Sequence, residues 1–174
     1  MSTTLQSIQK TFRVFYTLVR IAKTLCIVGA VLCAVGALCI TVASCGGQVF
    51  GLFGEPIDVF AGVADPIRRN AELWAAFIQM IAKTILLTLA ERYLKAEQAD
   101  GTPFTEPGAN QLKQLGIRCI WISVVAAVIA SVVATLQGAA DAGVIGNSTE
   151  VITGIVLILA SMIFRYGAEL EQKP

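Results

Sequence analysis

A chain of 174 residues that is 56% hydrophobic and only 14% charged is a poor candidate for a soluble domain, which carries about 25% charged residues. Its mean hydropathy of +0.73 agrees, and a bilayer is the solvent that takes up the apolar surplus. The net charge of +1 says nothing as a total, and the absence of histidine removes the commonest general base, proton shuttle and metal ligand.

Residues 5–22 place Leu5, Ile8, Phe12, Phe15, Val19 and Ala22 on one helical face, with Lys10, Arg13 and Arg20 on the other. Two readings stand. This amphipathic helix lies on an anionic membrane surface, or the first span continues through it and packs on its neighbours. Thr24–Ser44 follows without a charge and is long enough to cross a hydrocarbon core of about 30 Å. Small residues from Gly29 to Ala37 permit close helix packing or a homodimer. Val42–Cys45 also fits a lipoprotein cleavage pattern, but the apolar run before it is too long for a signal peptide.

The segment Cys45–Asn70 mixes glycine, aromatic and acidic residues, is punctuated by Pro56 and Pro66, and reads as a connector. A second span covers Ala71–Ala90. Within it Glu72, Ala76, Gln79 and Lys83 recur at steps that share one helix face. Glu72, Gln79 and Lys83 are therefore a candidate intramembrane polar site, because an ionisable group inside a span is costly and marks function by default. The competing reading has Lys83 snorkelling to the nearer interface.

Glu91–Gln98 extends the second helix, and Asp100-Gly101 ends it. Thr105 is placed to cap the third helix, with Pro107 in its first turn. The third span is Ile117–Leu136, again with small residues at Ser123, Ala127, Ala130, Ser131 and Ala134. The fourth is Val151–Phe164, whose 14 residues give about 21 Å. Caps from Asn147, Ser148 and Thr149 and interfacial Arg165 and Tyr166 extend it to about 149–166. The whole chain, 1–174, reads as one membrane domain: an all-α, integral membrane four-helix bundle.

Basic residues set the orientation. Ten of the thirteen fall in the N-terminal, second connecting and C-terminal segments, against Arg68 and Arg69 in the first connecting segment. Both termini are expected in the cytoplasm. None of the five cysteines forms a C-x-x-C pair, and four lie in apolar runs, where cysteine acts as a small hydrophobe. There is no H-E-x-x-H, Walker loop or G-x-S-x-G. No enzyme activity, cofactor, metal or direct nucleic-acid binding is expected.

Thr102-Pro103-Phe104-Thr105, followed by Asn110, Leu112 and Leu115-Gly116, resembles the TPFT…N…L…G signature of a bacterial family. That family consists of four-span membrane proteins known as a domain of unknown function. Phe164-Arg165-Tyr166-Gly167-Ala168-Glu169-Leu170 resembles its C-terminal FRYGxEL motif. The resemblance covers nearly the whole chain. It implies a bacterial cytoplasmic membrane and a small helix-turn-helix regulator, encoded nearby, as a partner. Family members commonly continue into an acidic tail, whereas this sequence stops at Glu171-Gln172-Lys173-Pro174.

Both motifs fall on the expected cytoplasmic side, where Arg165 has Glu106 within reach and Tyr166 has Phe104. Thr102, Pro103, Phe104, Thr105, Asn110, Arg165, Tyr166, Gly167 and Glu169 are thus a candidate docking surface or a clamp on the helix ends. The expected function is a regulatory or protein-interaction module within the lipid bilayer. The alternative is a small dimeric transporter of an ion or small molecule, using Glu72, Gln79 and Lys83.

Overall fold

The computed structural model describes residues 3–50, 56–58, 65–100, 106–139 and 148–171. Four helices hold nearly all of them: α1 (Thr3–Ser44), α2 (Pro66–Asp100), α3 (Glu106–Leu136) and α4 (Ser148–Glu171). Between α1 and α2 a two-residue strand β1 (Val49–Phe50) pairs antiparallel with β2 (Pro56–Ile57), Val49 opposite Ile57.

The helix ends follow local chemistry. Residues 5–22 and 24–44 form one helix, because nothing between Thr3 and Ser44 breaks it. It stops where Gly46 turns left-handed (φ 81°), with Gly46 N–H donating to Ala43 O and Gly47 N–H to Val42 O. α3 stops the same way at Gly138 (φ 75°), with Ala139 N–H donating to Ala134 O. α2 begins five residues before its apolar run. Asp65 caps it by accepting from the Arg68 N–H at 3.1 Å, and Pro66 occupies the first position, where its missing N–H costs nothing. Pro66 therefore starts a helix, and Arg68 and Arg69 belong to α2 rather than to a loop.

Each helix packs on its neighbour in sequence: α1 on α2, α2 on α3, and α3 on α4. Among the described residues no other helix pair is packed, so the all-α assembly is an open row. Its interfaces are built from small side chains such as Ala30, Ala37, Ala71, Ala82, Ala130 and Ala134, and among the described residues no large side chain is fully buried. The large apolar residues point outward instead, with Leu25 at 67%, Leu32 at 67% and Trp121 at 66% exposure. Small residues inside and large apolar ones outside is the pattern of helices packing in lipid, where close approach and not apolar burial drives association. All four helices are long and apolar enough to cross a membrane.

The helices are not level. Thr41 meets Asn70, and Ala71 meets Ala134, so α1, α2 and α3 finish together at one end. α4 does not reach it. Gly154 lies against Gly116, and the Glu150 carbonyl accepts from the Cys119 thiol at 3.4 Å. α3 thus runs on past the first turn of α4 by roughly 20 Å at 1.5 Å per residue. The apolar stretch of α4 is displaced toward the opposite end, which carries Tyr16, Lys23, Glu91, Arg92, Lys113, Arg118 and Arg165 and is termed the basic end below.

Candidate functional site

Three polar clusters among the described residues bear on the expected sites. The first ties α1 to α2 at the basic end, just beyond the apolar run 71–90. Glu91 accepts hydrogen bonds from the Tyr16 hydroxyl at 3.1 Å and the Lys23 ammonium at 3.1 Å, and pairs with Lys95 at 3.3 Å. The Lys95 ammonium also sits 5.6 Å from the centre of the Tyr16 ring. Lys23 above all, then Lys95 and Tyr16, lower the Glu91 carboxyl to about 2 against partial desolvation. Lys95 is pushed up by the Tyr16 hydroxyl and then by Glu91. None of these four residues was singled out from the sequence as functional. The local signals were Glu91 and Lys95 one helical turn apart and Lys23 at the very start of the first apolar run.

The second cluster divides the stripe of Glu72, Gln79 and Lys83. Glu72 lies near the start of α2 and pairs with Arg68 and Arg69, each at 3.3 Å. Lys83 pairs instead with Glu150 of α4 at 3.6 Å, both side chains being partly exposed. Gln79 is half-buried one turn from Lys83. Lys83 and Glu150 bridge two helices whose backbones do not pack, with Cys119 of α3 bonded to the Glu150 carbonyl beside them. A lysine inside an apolar run thereby has a counter-ion on another helix.

The third cluster is a cleft of about 490 Å³ between α3 and α4, lined by Asn110 and Lys113 on one side and Ser161, Arg165 and Tyr166 on the other. Tyr166 is 65% exposed, and Ser161 is buried with its hydroxyl donating to the Ile158 carbonyl at 2.6 Å. Gly167 follows Tyr166 within α4 and is half-buried. The structure therefore brings together Asn110, Arg165 and Tyr166, which the sequence placed in two separate motifs. Thr102, Pro103, Phe104 and Thr105 lie outside the described residues, as do the side chains of Glu106 and Glu169, and with them the contacts expected between Tyr166 and Phe104 and between Arg165 and Glu106. Gly154, which fixes where α4 docks and hence where the cleft opens, was not singled out from the sequence at all.

The chain matches no family model, no curated protein and no solved structure. The resemblance to the four-span bacterial family rests on the sequence motifs alone.

Proposed function

We propose that this chain is a multi-pass protein of the bacterial cytoplasmic membrane that serves as an interaction module, docking a cytoplasmic protein in the α3–α4 cleft. One observation carries the reading: Asn110 and the Arg165-Tyr166 pair, distant in sequence, line a single cleft together with Lys113. Two cations, an amide and a phenol on an apolar floor of Ile158 and Met162 suit a segment that presents carboxylates beside an apolar anchor. The excess of basic residues at this end supports a cytoplasmic orientation. The regulator implied by the family resemblance is the partner to test.

A photo-crosslinking residue in place of Tyr166, in membranes of cells that co-express the regulator encoded nearby, is expected to capture that regulator. Capture should fall about tenfold in a Lys113→Glu/Arg165→Glu variant, a loss within the range seen for charged contacts at interfaces. It should persist in Arg68→Glu/Arg69→Glu, which changes the opposite end. No capture of the co-expressed regulator, or capture unchanged by the charge reversal, would sink the proposal.

A further inference from the structure

A separate cleft, about 210 Å³, opens between α2 and α3 at the basic end. Arg92 and Arg118 face it from the two helices, Gln111 and Gln114 supply amides, and Leu89 and Leu115 line it with apolar surface. No acid lines it. Neither arginine forms an ion pair among the described residues, and Glu91, next to Arg92 in the chain, is held by Lys23 and Lys95 on the α1 side. Two exposed guanidinium groups beside amide donors, with no carboxylate among the described residues paired to them, have the chemistry that suits a phosphate group. Planar guanidinium groups bind phosphate oxygens in pairs, and glutamine amides add further donors.

Position identifies the source of the phosphate. Arg92 stands two residues beyond the apolar run 71–90, and Arg118 is the second residue of the run 117–136. On α2 and α3 this is where the apolar runs give way to polar residues, the place of a headgroup layer along these two helices. Steps of seven and eleven residues into the apolar runs return to the same helix faces. On α3 these are Val125 and Ile129, both exposed, while Ile85 and Ile81 of α2 line the neighbouring groove against α1. The charged cleft thus continues into one apolar track, on α3, that leads inward. We propose that this cleft binds the headgroup phosphate of an anionic phospholipid whose acyl chains lie along that track. A lipid held there fills the groove between α2 and α3 and anchors the row of helices at its basic end.

Trp121, one turn inward from Arg118 and 66% exposed, supplies the reporter. The full chain carrying Trp74→Phe is reconstituted in phosphatidylcholine bilayers containing a minor fraction of brominated phosphatidylglycerol or, in parallel, brominated phosphatidylcholine. Each basic residue near a membrane surface is worth about fivefold in local enrichment of anionic lipid. Trp121 quenching is expected to show at least about a fivefold preference for the anionic lipid. The preference should fall toward unity in Arg92→Gln/Arg118→Gln and survive in Arg68→Gln/Arg69→Gln.

Excess inorganic phosphate should leave it unchanged. Cancellation by inorganic phosphate would show a site for the free ion and overturn the lipid assignment. Equal quenching by the two lipids, or a preference untouched by the double substitution, would overturn the site itself. Phosphatidylglycerol retained per purified chain, counted by mass spectrometry with both tryptophans in place, gives the same comparison if Trp74→Phe fails to fold. It should drop in the double variant, and an unchanged count overturns the proposal.

Discussion

The α1–α2 and α3–α4 interfaces join antiparallel helices by different means. α1 and α2 are pinned by polar clamps at both ends, with Glu91 gathering Tyr16, Lys23 and Lys95 at one and Asn70 meeting Thr41 at the other. Between the clamps the glycines are not crowded: a methyl group added at Gly29 would meet Met80 Sδ at 3.6 Å, an ordinary contact. α3 and α4 touch backbone to backbone. A methyl group at Gly116 would lie 2.7 Å from the Gly154 carbonyl oxygen, and one at Gly154 would lie 2.9 Å from that of Gly116. The first interface is specified by hydrogen-bonding partners, the second by the absence of side chains. Small residues are common to both, but only at the second are they sterically required.

The sharpest way to break this comparison is to make one substitution on both sides of it. Gly154→Ala places Cβ 2.6 Å from Ile120 Cγ1 as well as against the Gly116 carbonyl, and backbone cannot yield as a side chain can. We expect a loss of about 1–3 kcal/mol, the range for overpacking, read by unfolding of the detergent-solubilised protein in increasing denaturant. Gly29→Ala should instead be neutral or stabilising by up to about 1 kcal/mol, since alanine is the better helix former and the space is open. Equal losses at the two positions would show that both interfaces depend on bare backbone.

The clamp at Glu91 gives the next effect, and it depends on pH. A carboxyl held at about 2 when folded, against an ordinary value of 4.5, adds stability that is complete above the ordinary value. That contribution drains away as pH falls from 4.5 toward 2. The melting temperature of the wild-type protein should therefore fall over this window more steeply than that of Glu91→Gln. At neutral pH the variant should melt lower than wild type, because a neutral amide replaces the charge that Lys23 and Lys95 neutralise. Parallel curves for the two proteins across the acid range would remove Glu91 from the clamp.

What the sequence made legible follows the same division. Four apolar helices and the place of Pro107 in the first turn of α3 could be read, because run length and turn chemistry are local. The level at which α4 docks could not. Fourteen apolar residues give a length but no depth, and the depth depends on Gly116 meeting Gly154, a long-range contact that two isolated glycines do not announce. The polar stripe on α2 was legible as a periodicity, and its partners were not. Glu72 turned to Arg68 and Arg69 because Asp65 and Pro66 start the helix early enough to bring those arginines within one turn. Lys83 found Glu150 because α4 is displaced, which places its first turn beside the middle of α2. Sidedness put the two motifs at one end, with Arg165 near Glu106 and Tyr166 near Phe104, contacts that lie outside the described residues; the cleft that Asn110 shares with Arg165 and Tyr166 follows from the docked level of α4.

The smallest effect belongs to the far clamp, and its size follows from counting protons. The Thr41 hydroxyl has one hydrogen, and the shortest partner available to it is the Ala37 carbonyl of its own helix at 2.8 Å. The Asn70 amide therefore donates to the Thr41 oxygen at 3.2 Å, and Thr41 has no second proton to return to the Asn70 carbonyl, 3.4 Å away. Asn70→Ala removes one neutral hydrogen bond between helices, leaves Thr41 bonded within α1 and strands no buried proton donor. Bonds of this kind between membrane helices average about 0.6 kcal/mol, and that is the destabilisation expected on the same denaturant scale. Thr41→Val should cost about as much, and the double variant hardly more than either single one, since the first substitution has already broken the shared bond. Strictly additive losses would mean that the two side chains contribute through separate contacts, and that α1 and α2 are pinned at the basic end alone.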